Sequence, residues 1–451
     1  MEENRRLSHE SWNGSDFKTN VETSGGKLRY PTFDPRIPPS KGSEALRANS
    51  LESGLHDNKN AKSPSHTELV SGIRPPLPWG QRIRHFTWAW YTLTMSTGGL
   101  ATLLSLQPHA FKGLISIGSF FYIFNLILFT AVCTCLLLRF AKHPGTLKES
   151  LKHEREGLFF GPFWLSVATI ITGTQRYVIQ SLEKDHSMRP WLLTSIAIAF
   201  WAYTVATFLV AIFQYSYLFN THMYSVAKFM PSWLLPIFPI MLAGTIAAVI
   251  AADQPVESRL PILVAGLGCQ GLGFTVCILM YAHYIGRLMC TGFPNPEHRP
   301  AMYIGVGPPS FTALAVLGMA NSLPPELNLL PPEFTVSPLF SVSTIRVMAV
   351  IVAISLWILA WWFFAIATIG TLLKRPKLFH LGWWAMVFPN SGFTIATIQI
   401  GNALNNEGLR YLGNAMTICI VIMWCFVFYM NVRAVVVRDI VYPHMDEDVE
   451  D

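Results

Sequence analysis

Two arginines stand where the chain is otherwise apolar: Arg176 in the run 158–180, and Arg346 near the start of the run 343–373. None of the 27 Asp and Glu residues falls inside any such run. A guanidinium grips a carboxylate through two parallel hydrogen bonds, and burying one at the centre of a membrane helix costs roughly 2.5–3.5 kcal/mol on insertion scales. Cation and proton carriers place carboxylates in mid-membrane; this chain instead places positive charge in the expected outer half of the membrane. The two arginines are expected to give a pathway a positive potential and to bind a carboxylate substrate. The competing role is snorkelling to nearby headgroups; for Arg176, the adjoining Gly173-Thr174-Gln175 favours the pathway.

Neutral hydrogen-bonding residues share these segments: Ser96, Thr97, Gln175, Ser310, Asn390, Ser391 and Thr394. Such groups suit an anion that must enter and also leave, although each could equally cap a broken helix. His283, the histidine deep in a run, reads as a packed structural residue. Gly266-Leu267-Gly268-Cys269-Gln270-Gly271 formally matches a dinucleotide fingerprint. That fingerprint needs a preceding strand, so close helix packing by small residues is the better account. There is no His-Glu-x-x-His zinc motif and no intramembrane carboxylate to act as a general base, which argues against an intramembrane enzyme. No metal, cofactor or nucleic-acid partner is expected.

These residues need a bilayer to position them. Of 451 residues, 51% are hydrophobic and 13% charged, about half the roughly 25% charge of soluble domains. Ten apolar segments follow one another at 85–106, 113–138, 158–180, 190–219, 231–252, 260–286, 301–320, 343–373, 378–400 and 411–432; a crossing takes ~20 apolar residues. The odd segments carry breakers: Gly98-Gly99, Gly161-Pro162, Pro236 with Pro239, Gly307-Pro308-Pro309 and Pro389-Asn390-Ser391-Gly392. Pro162, Pro239, Pro309 and Pro389 stand 77, 70 and 80 residues apart, a loose repeat. Broken helices leave backbone groups that hydrocarbon cannot satisfy. The expected fold is therefore an all-α membrane protein of ten transmembrane helices, five helical hairpins around a central pore, with odd helices inside and even helices facing lipid. Trp79, Trp88, Trp90, Trp233, Trp383 and Trp384 read as interfacial anchors, and the seven cysteines as small core residues.

Residues 1–75 hold 11 Lys/Arg against 10 Asp/Glu and no apolar run, the composition of a disordered tail. The expected organisation is this tail, a transport domain at 76–438 and a short acidic tail at 439–451. With ten spans, 16 basic residues, Lys228 among them, flank the spans on the tail's face and five on the other. Cytoplasmic loops concentrate Lys and Arg, so both termini are expected in the cytoplasm.

His85-Phe86-Thr87-Trp88 with Met95-Ser96-Thr97-Gly98-Gly99-Leu100-Ala101, Trp233-Leu234-Leu235-Pro236, and Trp383-Trp384-Ala385-Met386-Val387-Phe388-Pro389 resemble the tellurite-resistance/dicarboxylate transporter family. That family includes plant slow anion channels and fungal sulfite efflux pumps. The Met-Ser-Thr-Gly-Gly stretch and the long tail look most similar to its fungal malic acid (C4-dicarboxylate) permeases. The resemblance covers about residues 80–440. It implies a homotrimer with one pore per subunit and a pore-plugging phenylalanine on the ninth helix, matching Phe388, with Phe393 five residues further on. The resulting expectation is a plasma-membrane transporter of C4-dicarboxylates such as malate. Arg176 and Arg346 would neutralise the dianion, Ser96, Thr97, Gln175, Asn390 and Ser391 would replace its water, and Phe388 would gate. Sulfite efflux is the alternative, since a small anion needs one cationic contact rather than two.

Overall fold

The computed structural model describes residues 77–221, 229–324 and 341–443. The chain divides into two units, Met1–Pro64 and Ser65–Asp451, and all described residues belong to the second. The expected N-terminal tail, Lys228 and the acidic residues from Asp446 onward lie outside the described residues.

Those residues are helical and contain no strand. Ten main helices follow in chain order: α1 Tyr91–Leu104, α2 Leu114–Lys142, α3 Phe160–Thr174, α4 Arg189–Thr221, α5 Phe238–Ile250, α6 Val256–Thr291, α7 Gly307–Asn321, α8 Val342–Leu373, α9 Phe388–Ala403 and α10 Glu407–Val437. Seven helical stretches among the described residues are long and apolar enough to cross a membrane: α2, α4, α6, α8, α10, and the two short helices α3 and α7 together with their flanking turns. By itself α1 has 14 residues, α5 13 and α9 16.

The odd helices are short because a 3-10 segment precedes each one. These segments are Trp88–Trp90, Glu156–Phe159, Pro231–Leu234, Pro296–Val306 and Leu381–Met386. The sequence places the prolines in mid-span; the structure makes them helix starts. Pro239, Pro308 and Pro389 occupy first-turn positions, where the missing N–H costs nothing because no intrahelical acceptor exists there.

The short helices form a closed cycle of contacts, α1 with α3, α3 with α5, α5 with α7, α7 with α9 and α9 with α1. Each packs on the long helix that follows it, and α4 also packs on α5. Burial follows this division. In the most apolar window of α7 and its lead-in 89% of residues are buried, against 22% for both α2 and α8. Glycines permit the close approaches. A Cβ at Gly98 would lie 2.7 Å from Asn125 Nδ2 on α2, and one at Gly273 would lie 2.6 Å from the Met241 Cβ on α5. Gly266 likewise abuts Ala247, whereas Gly268 and Gly271 meet open space, so helix packing accounts for one of the three glycines in that fingerprint-like run.

Two expectations are corrected. Trp88, Trp383 and Trp384 are buried, not interfacial; they sit in or beside the 3-10 segments and fill the space that the short helices leave. Trp79 is 75% exposed, as an anchor should be. Among the cysteines only Cys277 is buried, and Cys290, Cys419 and Cys425 are exposed, because long helices with outward apolar faces carry them.

One buried ion pair ties the first segments together. Arg139, near the end of α2, grips Glu156 with two nitrogens, the Nη2 to Oε2 bond being 3.1 Å, and donates to the Phe86 carbonyl at 2.8 Å. Both side chains are almost fully buried, at 6% and 4% exposure. Breaking such a pair leaves an uncompensated charge and costs about 3–5 kcal/mol, whereas replacing both partners by apolar groups can be nearly neutral. Glu156→Gln is therefore expected to lower the melting temperature in detergent clearly, and Arg139→Met with Glu156→Leu to recover much of the loss.

Candidate anion-binding site

A cavity of about 40 Å³ lies where all five short helices meet. Each contributes one stripe: Gly99 and Thr102 from α1, Thr169 and Thr172 from α3, Leu242 and Thr245 from α5, Phe311 and Leu314 from α7, and Phe388, Ser391, Ile395 and Gln399 from α9. The α9 residues recur at three- and four-residue intervals, as one face of a helix must. Arg176 completes the lining. Its helix ends in a π turn, Gln175–Ile179, a feature common at functional sites, and Arg176 is the second residue of that turn.

Most hydroxyls around the cavity are turned back on their own helices. Thr102 donates to Gly98 O, Thr169 to Ser166 O, Thr172 to Ala168 O and Ser391 to Phe388 O, at 2.7–3.1 Å. Three lining side chains keep unspent capacity: Arg176 Nε, Thr245 Oγ1 and Gln399 Oε1 are buried without a hydrogen-bond partner. Arg176 spends one Nη1 contact on Gln180 Oε1 at 3.2 Å and makes no ion pair among the described residues. The nearby carboxylate, Asp253, is already held by Arg189 at 2.9 Å and by Gln175 at 2.7 Å. Unpaired buried donors are costly, and a guanidinium with open positions can receive an anion.

Phe388 is 2% exposed and stacks on Phe311, ring centroids 4.9 Å apart at 27°. Gly99 and Gly392 are the recesses for these rings. A Cβ at Gly99 would lie 3.0 Å from Phe388 Cδ2, and one at Gly392 would lie 2.7 Å from the Phe311 ring. Phe393 points elsewhere, edge-on to Trp361 at 4.9 Å.

Arg176, Ser391 and Phe388 thus share one cavity, and the other sequence-derived candidates do not line it. Ser96 donates to the Trp384 carbonyl at 3.2 Å. Thr97 donates to Leu93 O and accepts from Trp424 Nε1 on α10 at 3.1 Å. Gln175 reaches Asp253, and Asn390 donates to Met386 O at 2.8 Å. Arg346 donates from Nε to Ala320 O at 3.3 Å, at the end of α7, and is not brought near Arg176's cavity. Ser310 and Thr394 bond carbonyls of their own helices, and His283 faces outward over Phe229. Thr245, Gln399 and Phe311 are additions from the structure. The spacing Phe388, Ser391, Ile395, Gln399 was a usable sequence signal for Gln399; nothing comparable marks Thr245.

At the other end of the ring, where the short helices begin, a second cavity of about 70 Å³ is lined by Arg155, Ser232, Glu297, His298 and His380. The His298 and His380 rings are 5.4 Å apart. Glu297 is occupied, accepting from the backbone N–H groups of Lys377 and Leu378.

Apolar helices of membrane length, packed around short buried ones that enclose an unpaired arginine, define a multi-pass membrane transport protein for anions. The comparisons give the family. Residues 85–432 match the voltage-dependent anion channel family, and the chain belongs to it. It is 33% identical to the Malic acid transport protein of Schizosaccharomyces pombe over 392 residues, 86% of this chain and 87% of that one. It is 30% identical to a Putative malic acid transport protein of the same yeast, over 83% of this chain and 86% of the relative. A Sulfite efflux pump of Arthroderma benhamiae is 26% identical over 78% of this chain and 91% of its own length.

If the Phe388 ring closes this cavity, Phe388→Ala should raise anion flux per protein molecule severalfold in vesicles, and Phe393→Ala should not. Equal flux per molecule in wild type and Phe388→Ala would remove the gate.

Proposed function

We propose that the protein carries C4-dicarboxylates such as malate across the plasma membrane. The observation that carries this reading is Arg176, a guanidinium with a free donor on a cavity that all five short helices enclose. The names of the two yeast relatives supply the substrate class. In this reading all ten helices cross the bilayer as five hairpins, the axis of the ring is the pore, and both termini are cytoplasmic. Three copies assemble, each with its own pore.

The mechanism follows from the chemistry of the lining. The dianion enters from the end lined by Arg155, Glu297, His298 and His380, and the Phe388 and Phe311 rings move aside. Beyond them one carboxylate meets Arg176, while Thr245 and Gln399 replace part of the water it has lost. With the rings in place, a cavity of about 40 Å³ holds a few waters and no dicarboxylate, so this is a closed state. A single arginine rather than a stack of fixed charges keeps binding weak enough for release.

One observation favours the sulfite alternative: a single arginine lines the cavity, enough for a small anion. Vesicles containing purified protein, offered labelled malate, succinate and sulfite in turn, separate the two; malate uptake is expected, and sulfite uptake without malate would overturn the proposal. A hydrogen bond to a charged group contributes about 1.5–3 kcal/mol. Arg176→Ala, and to a lesser extent Thr245→Val, are accordingly expected to cut malate uptake about tenfold or more with membrane expression intact, and Arg346→Ala to leave it nearly unchanged.

A further inference from the structure

Arg176 sits in a turn that has to be held. The π turn Gln175–Ile179 is closed by the Gln180 N–H on the Gln175 carbonyl at 3.0 Å, a wider loop than the α turns before it. Relaxing it to α geometry would redirect side chains along the turn by up to about 100°, one residue's rotation about a helix axis. That swing is large enough to take a guanidinium off the cavity.

Neighbours grip the turn on two sides. On one, Tyr177 Oη donates to the Ala101 carbonyl of α1, and the ring's outer end fills the notch at Gly118 on α2. On the other stands Asp253, in the 3-10 turn Ala251–Asp253 that follows α5. Its Oδ2 accepts from Gln175 Nε2 at 2.7 Å and from Gln180 Nε2 at 3.3 Å, the residue that opens the π turn and the one that closes it. Its Oδ1 accepts from Arg189 Nη2 at 2.9 Å, and Arg189 Nη1 donates to the Ile179 and Leu182 carbonyls at 3.3 and 3.0 Å. Gln254 Nε2 donates to the Leu193 carbonyl at 3.1 Å, so the turn that carries Asp253 is itself fixed to α4. The last link is Arg176 Nη1, which donates to Gln180 Oε1 at 3.2 Å.

An ion pair with Arg189 would occupy one carboxylate oxygen. The other takes both amides that bracket Arg176, which an ion pair alone does not require. Arg189 also offsets the charge of a carboxylate that would otherwise oppose an anion at Arg176.

We propose that Asp253 is the positioning residue of the anion site. Through Gln175 and Gln180 it fixes the π turn, and so holds Arg176 on the cavity before the anion arrives. This role rests on Arg176 being the group that binds the anion.

The test measures labelled malate uptake against concentration in vesicles of purified full-length protein. Asp253→Ala and Gln180→Leu are each expected to raise the malate concentration at half-maximal uptake about tenfold, the worth of one hydrogen bond to a charged group. The maximal rate per molecule should stay within about twofold of wild type. Added to Arg176→Ala, Asp253→Ala should shift half-saturation by less than about twofold, because two residues acting through one contact are not additive. Equal shifts with and without Arg176, or a lowered maximal rate at unchanged half-saturation, would overturn the proposal and leave Asp253 a structural partner of Arg189. Gln180 is exposed and its loss spares the Asp253–Arg189 pair, so Gln180→Leu decides the matter where Asp253→Ala does not fold; unchanged half-saturation in that variant also overturns the link. Wild-type uptake by Arg176→Ala would sink the binding reading and this role together. Weakened uptake by Arg176→Ala beside wild-type half-saturation in Asp253→Ala would sink this role alone.

Discussion

Hydrocarbon offers no hydrogen-bond partner to a peptide group, and that constraint organises this molecule. Five segments begin with 3-10 turns, four of them with prolines at or near the helix start, and cannot satisfy their own backbone over a membrane's thickness. They are stable only where protein surrounds them. The structure meets this by closing the five short helices into a cycle and packing unbroken helices of 29–36 residues against them. Even Trp88, Trp383 and Trp384 are drawn inward, because the 3-10 segments leave gaps that large flat side chains fill.

The same constraint sorts the charges. Arg139 is spent on Glu156, Arg189 on Asp253, and Arg299 on the Pro294 and Gly370 carbonyls at 3.0 and 2.6 Å. Each joins elements that are distant in sequence, and each has partners enough to offset burial. Arg139 also keeps a buried Nε without a hydrogen-bond partner, but Arg176 differs in that its own partnerless Nε belongs to a side chain lining the central cavity. A structural arginine would be a poor choice there. In the proposed function the missing partner is the substrate.

Close packing and a closed cavity have one cause. Glycines at 99 and 392 let the Phe388 and Phe311 rings settle between neighbouring helices, and the volume left over is that of a few waters. Hydroxyls near the rings bond their own carbonyls, since an apolar neighbourhood gives them nothing better. The lining is therefore quiet toward water and keeps its binding capacity at Arg176, Thr245 and Gln399.

Much of this was legible in the order of residues. The alternation of broken and unbroken apolar runs gave the two kinds of helix, because periodicity and proline act locally. Arg176 and Phe388 stood out as a charge and a ring in segments that must be interior. The sequence alone did not separate Arg176 from Arg346, or Ser391 from Ser96, Thr97 and Asn390, since all of these are polar residues in or beside breaker-rich segments. What separates them is rotation about the helix axis and the neighbour met there: Ala320 for Arg346, Trp424 for Thr97, the cavity for Arg176. Composition determined that the chain enters a membrane and that its interior charge is positive. Only tertiary packing decided which polar atoms are left without partners, because a hydrogen bond between helices depends on facing geometry that no single segment contains.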